Sequence, residues 1–306
     1  MASANITKSI ISITSPGTYL IPGDNASARI LSRQVNEFAA DLKRRRPTQF
    51  GFWASLPLPD VQGSIDEINF ALDHLCADGV AVMSNAWGIY LGDSRLDPVF
   101  AELNRRNATV FIHPTSPHTG IAFKGNATNV QNALPLPQYP APMFEFFFDT
   151  ARTIINMFIT GSTKRFPGVT YVVSHCGGAL PPIIDRFAGF ATVILQVPGG
   201  VTAADVRATF ARQFYFDLAG FTFPDQVTMI LRYITPSRLT YGSDYPYTAA
   251  PGALGLEKVM DASFPTVFPD NATQAAVYRG NAQTLLAKSD MAEQGWCRHS
   301  TYGHGW

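Results

Sequence analysis

Residues 170–181 read TYVVSHCGGALP. Thr170–His175 reads as a strand, opened by a β-branched and aromatic run, Thr170 to Val173, that suits burial on both faces. Ser174 and His175 follow, and Gly177 and Gly178 mark a turn. A titratable side chain therefore stands where a strand ends. The design recurs twice. Residues 110–117, VFIHPTSP, put His113 at the end of a strand over Thr109–His113. Residues 239–248, LTYGSDYPYT, put Asp244 just past a strand over Leu239–Gly242.

Outward from these motifs, strand-like and helix-like segments alternate. Ile6–Thr14, Phe50–Leu56, Gly79–Met83 and Phe214–Asp217 bring the strands to seven. Leu31, Val35, Phe38 and Leu42 recur at helical spacing behind an N-cap at Asp24. Lys43–Arg46 closes that helix, where cations suit the dipole, so a solvated cap is the reading rather than an anion site. Ser64 and Glu67 form a capping-box pattern ahead of Ile68, Leu72 and Leu75. Leu96–Arg106 reads as helix, and Met143–Phe166 as one long apolar helix. Repeated β-then-α units imply a parallel sheet with helices outside it. Patterning alone allows either a barrel or an open doubly wound sheet. No Gly-x-Gly-x-x-Gly turn follows the first strand, which argues against dinucleotide binding. One domain over residues 1–287 is expected, with 288–306 an unpacked polar tail. Residues 118–142 read as a long loop between a strand and its helix, of the kind that often serves as a lid or a binding loop.

The chain has 306 residues, with 23 basic and 23 acidic side chains that cancel. Charged residues are 15% and hydrophobic ones 46%, which excludes a disordered chain. Without a basic excess, nucleic-acid binding by charge is excluded too. No apolar run is long enough to span a membrane. Cys76, Cys176 and Cys297 cannot build a disulfide framework, and no leader is recognisable, so a cytoplasmic location is expected.

In a barrel, residues at strand C-terminal ends gather around one pocket. Imidazole and carboxylate together suit a divalent metal, and a His there can also move protons. A single His or Asp at a strand end is more often a cap; three at equivalent positions point to a site. Weaker candidates are Asp217 at another strand end, Trp53 as a pocket wall or core residue, and Cys176 as a buried turn residue rather than a nucleophile. Phe144, Phe146, Phe147 and Phe148 read as core or dimer contacts. His74 reads as solvated, and Asp149 and Arg152 as a helical pair.

His113-Pro114, Ser174–Gly178 and Gly242–Pro246, supported by FGFWASLPLPD (Phe50–Asp60), AELNRRN (Ala101–Asn107) and FDTARTI (Phe148–Ile154), resemble the amidohydrolase-related decarboxylases. That is the group of aminocarboxymuconate-semialdehyde and 6-methylsalicylate decarboxylases. The resemblance spans roughly Ile6 to Leu286. It implies a TIM-type (β/α)8 barrel of the metal-dependent hydrolase superfamily, holding zinc, with manganese as the alternative. It implies His113 and Asp244 as metal ligands, and His175 and Asp244 as the acid/base pair. Arg186 is implied to hold the substrate carboxylate across a homodimer interface. The implied reaction is non-oxidative loss of CO2 from a small hydroxylated aromatic or unsaturated acid. Amide or lactone hydrolysis on the same barrel is the alternative, and a catalytically impaired partner subunit is another. The family's first strand, which ends in His-x-His or Glu-x-His, has no counterpart among His74, His113, His118, His175, His299 and His304. The N-terminal strand carrying that motif is therefore expected to be absent.

Overall fold

The computed structural model describes residues 1, 5–119, 131–197 and 200–287. All seven expected strands form: β1 (Ser9–Ile11), β2 (Phe50–Ser55), β3 (Gly79–Met83), β4 (Thr109–His113), β5 (Thr170–Val173), β6 (Phe214–Asp217) and β7 (Leu239–Thr240). They make one sheet in chain order, parallel throughout. The register aligns Met83 with His113 and Asp217 with Thr240. Among the described residues β1 and β7 each lack a second strand partner, so the sheet is open there.

The helices follow their strands: α1 (Asn25–Arg45), α2 (Val61–Asp73), α3 (Asp97–Arg105), α4 (Glu145–Ile159), α5 (Ser162–Arg165), α6 (Ile184–Gly189), α7 (Ala203–Gln213), α8 (Asp225–Ile230) and α9 (Ala250–Val267). Asp24 caps α1 by accepting the Ser27 N–H at 3.0 Å. The basic run at its end is absorbed locally: Lys43 reaches Asp78 at 3.0 Å, and Arg44 and Arg45 pair with Asp41. Buried Asn36 donates to the Ser55 carbonyl and accepts its N–H, pinning α1 to the end of β2.

Two helix boundaries differ from the sequence reading. Asp60, not Ser64, caps α2, accepting the Gly63 N–H at 3.1 Å. Ser64 is buried one turn in, and Glu67 instead pairs with Arg33 and Asn36. The long apolar helix breaks at Gly161, whose φ of +73° no ordinary helix residue adopts, and this separates α4 from α5. The core between sheet and helices is aromatic. Phe158, Tyr171, Phe210, Phe214 and Phe216 interlock through ring contacts, each side chain stabilising by roughly 1.5–3 kcal/mol on burial. Trp53 is core: it packs under Gly79, where a Cβ would sit 2.9 Å from its ring. No helix among the described residues is long and apolar enough to cross a membrane.

Arg106, its side chain 6% exposed, ties α3 to α2 through Asp73 at 2.6 Å and also binds Glu102. Hydrogen bonds from Arg105 and then Arg106 pull the Glu102 carboxyl down to about 2. Glu102 therefore stabilises the fold above its unfolded pKa, near 4.5, and loses that contribution as pH falls towards 2. Glu102→Gln is expected to lower the melting temperature by a few degrees at pH 7. The difference from the native chain should shrink steadily from about pH 5 down to pH 2 in thermal melts.

Candidate active site

The ends of β4, β5 and β7 bring His113, His175 and Asp244 together. One ligand atom from each lies within 4.8 Å of the others. The two imidazoles meet edge to face, 5.9 Å between centroids. His113 is 7% exposed, and its Nδ1 lies 2.7 Å from the Pro114 carbonyl, so Nδ1–H donates there, while Nε2 accepts from the Thr14 hydroxyl at 3.3 Å. Burial, with the neighbouring His175 adding to it, pushes His113 down to about 3, and the ring is neutral. His175 donates from Nδ1 to the Ala219 carbonyl at 3.2 Å, which leaves its Nε2 as an acceptor for the site. Asp244 accepts the Thr248 hydroxyl on Oδ2 at 3.0 Å, and Oδ1 remains for the site. Two buried imidazoles and a carboxylate, each anchored through its other polar atom, fit the three-donor set of a catalytic divalent-metal site. The sequence pointed to two ligands with a third group nearby; the fold makes all three equivalent in position.

The presentation of His175 is built into the backbone. His175 and Cys176 have φ of +53° and +54°, a left-handed conformation that costs non-glycine residues energy. Two clamps hold it. Asp217, at the end of β6, accepts the N–H of His175 at 2.9 Å and that of Ala219 at 3.0 Å on one oxygen. Gln226 on α8 donates to the carbonyls of His175 and Gly178 at 2.8 and 2.7 Å. Gly178 is required because a Cβ there would lie 2.6 Å from the Phe147 carbonyl oxygen, at a φ of +59°. Asp217 thus lies directly beneath the site, and burial raises its pKa. Its role was undervalued in the sequence, where it shows only as one more acid ending a strand.

The aromatic run at the start of α4 forms walls of the site rather than core. Phe146 packs edge-on against His113 at 6.1 Å and Phe147 against His175 at 5.8 Å. Phe148, by contrast, is 47% exposed. Asp149 is not a simple partner of Arg152. It is fully buried, and Ser84, Asn85 and Tyr90 donate to it, while Arg152 stands 3.6 Å away. This network fixes the loop after β3 against α4. Beside it lies a cavity of about 220 Å³ over the ends of β2 and β3. Met83 and Thr115 line it; Met83 pairs in register with His113, and Thr115 lies two residues beyond.

The remaining candidates separate clearly. Cys176 is fully buried, and burial pushes its thiol pKa up, so it is a turn residue and not a nucleophile. His74 is exposed. Arg186 is exposed on α6, and no ion pair between it and Asp185 occurs among the described residues. Asp185 instead accepts from Tyr233. Arg186 is thus not brought to His113, His175 and Asp244 as a side chain of the same pocket. His299, His304 and the expected tail lie outside the described residues. So do residues 120–130 of the expected long loop, whose flanks form a short antiparallel pair, His118–Thr119 with Gln131–Asn132.

Comparison with known proteins places this geometry. A 6-methylsalicylic acid decarboxylase of Aspergillus aculeatus is 32% identical over 299 residues, covering 95% of this chain and 85% of the relative. The crystal structure of an amidohydrolase II aligns with a TM-score of 0.79 and 31% identity, over 94% of this chain and 86% of that one. A dihydroxybenzoic acid decarboxylase from Polaromonas sp., solved with manganese and 2-nitroresorcinol, has a TM-score of 0.75 at 20% identity. It is covered over 94% of this chain and 83% of its own, and supports the fold alone. The amidohydrolase family pattern matches residues 22–288, which contain all three converging side chains. With that span and those relatives, the chain belongs to the amidohydrolase family.

Proposed function

We propose that the chain is a metal-dependent, non-oxidative decarboxylase of a small hydroxylated aromatic acid, of the 6-methylsalicylate kind. The observation that carries this reading is the convergence of His113, His175 and Asp244 at three strand ends, in a chain with decarboxylases among its relatives. His113, His175 and Asp244 would hold a divalent ion, zinc or manganese, whose charge polarises the substrate's oxygens. His175 and Asp244 stand where a proton can be delivered to the ring carbon that bears the carboxylate. Once that carbon is protonated, the C–C bond breaks, CO2 leaves and the ring regains aromaticity. Phe146 and Phe147 shield the reacting carbon from water.

Further parts of the reading concern the assembly. The seven-stranded sheet is taken as part of an eight-stranded barrel, with a strand bearing two further ligands absent from the seven. Arg186 is assigned to a neighbouring copy's substrate carboxylate, which a guanidinium suits through paired hydrogen bonds. An exposed apolar strip, Phe190, Val193, Ile194 and Leu195, runs on from Arg186 and fits a homodimer face. The reading takes zinc as the ion, from the resemblance, and a cytoplasmic location, from the cysteine usage.

The test is product analysis with carboxyl-labelled 6-methylsalicylate and an aryl lactone, using manganese-loaded protein. Labelled CO2 and a phenol are expected. A ring-opened acid from the lactone alone would move the assignment to a hydrolase, and no product from either would leave an inactive subunit. Arg186→Ala is expected to raise KM roughly 10- to 100-fold, the worth of a charged hydrogen-bonded contact at about 1.5–3 kcal/mol. Mixing it with His113→Ala chains should restore part of the activity if the arginine acts across the interface. An unchanged KM would return Arg186 to the surface.

A further inference from the structure

We propose that Asp149 is a positioning residue for His113 and acts on it through Ser84. This rests on the metal-centre reading for what His113 does, though not for how His113 is held. Asp149 lies on α4, is fully buried, and is not one of the three converging side chains. A buried carboxylate is costly unless it is hydrogen-bonded. Here Ser84 and Asn85 donate to one of its oxygens and Tyr90 to the other. An apolar side chain would join the helix to the loop without that cost. What the carboxylate adds is a fixed direction for the Ser84 hydroxyl.

Ser84 carries that direction to His113. With its hydroxyl proton given to Asp149, its oxygen accepts the Thr115 N–H at 3.1 Å. Its own N–H donates to the His113 carbonyl at 2.8 Å. Ser84 thus brackets Pro114 from both sides. Proline has no N–H, so the Pro114 carbonyl is set by the bonds of its neighbours. That carbonyl is the group that takes the Nδ1–H of His113 at 2.7 Å. Asn85 adds a second hold, since the amide that donates to Asp149 at 2.8 Å also donates to the Ser116 carbonyl at 3.1 Å. Thr153, one turn along α4, donates to the Ser84 carbonyl at 2.6 Å. Phe146, on the same helix, meets the His113 ring edge-on. One helix therefore fixes both the backbone and the ring of His113.

The experiment has two readouts on the intact, chelator-stripped chain: Mn2+ affinity, and the His113 tautomer by nitrogen NMR of the imidazoles. Asp149→Ala and Ser84→Ala are each expected to weaken Mn2+ about tenfold or more, the cost of losing an outer partner of a metal ligand. Each should also lower the share of the Nδ1–H tautomer at His113. The double variant should be weaker than the worse single variant by no more than about twofold, because both changes break one path. Asp149→Asn keeps an acceptor oxygen for Ser84 and should restore both readouts. A Ser84→Ala chain with unchanged affinity and tautomer would overturn the proposal, even if its melting temperature fell. So would single effects that multiply in the double variant, or an asparagine variant as weak as alanine. Ser84→Ala decides the question alone if Asp149→Ala does not fold. A native chain that binds no more manganese than His113→Ala would sink the metal-centre reading instead. The tautomer, measured without metal, would then still decide the positioning.

Discussion

Replacing His113 by alanine is expected to lower CO2 release by more than about 100-fold, while the melting temperature changes far less than activity. Loss of a residue that merely orients a metal ligand costs 10- to 100-fold, and loss of a ligand exceeds that. The side chain is buried, neutral and fixed by two hydrogen bonds, Nδ1 to the Pro114 carbonyl and Nε2 from the Thr14 hydroxyl, so the ring is oriented before any substrate arrives. Asp244→Asn should behave alike, because the amide keeps the Thr248 bond but loses the charge. Measuring the rate and the melting curve on the same preparations checks this. A His113→Ala chain that retains a tenth of the activity would remove the residue from the site.

The second large effect belongs to Asp217, a positioning residue. One carboxylate oxygen accepts the N–H groups of both His175 and Ala219. In Asp217→Ala both buried donors lose their partner, at about 1–3 kcal/mol each, and the left-handed turn at His175 loses one of its two clamps. A fall in melting temperature and a fall in kcat exceeding about tenfold are expected together. Asp217→Asn retains an acceptor oxygen of the same shape. If Asp217 acts through hydrogen bonds alone, the asparagine variant restores most of kcat and leaves the pH profile in place. An asparagine variant as inactive as alanine would mean that the negative charge itself takes part.

The sheet was legible because each strand advertises itself by local composition. Phe50–Ser55, Gly79–Met83 and Thr109–His113 are short apolar runs bounded by Pro, Gly or Asn, and a buried parallel strand needs little else. The recurrence of a titratable residue at three strand ends made His113, His175 and Asp244 legible together. What stayed hidden depends on contacts distant in sequence. Asp217 resembles any acid ending a strand until the His175 turn is seen folding onto it. Asp149 does pair with Arg152 as their helical spacing suggests, but its other partners, Ser84, Asn85 and Tyr90, lie on another loop and leave no local mark. Phe146 and Phe147 read as core because an aromatic run carries no mark of which face it turns to the site. The break at Gly161 could have been found, since a glycine inside an apolar helical pattern is itself a signal.

The most direct test of the central claim, that His113, His175 and Asp244 form one metal centre, is a binding measurement. Protein stripped by chelation is titrated with Mn2+, and free ion is followed by electron paramagnetic resonance. One ion bound per chain is expected, with binding weakened at least about tenfold in His113→Ala and in Asp244→Asn. A native chain that binds no more manganese than those two variants would contradict the account.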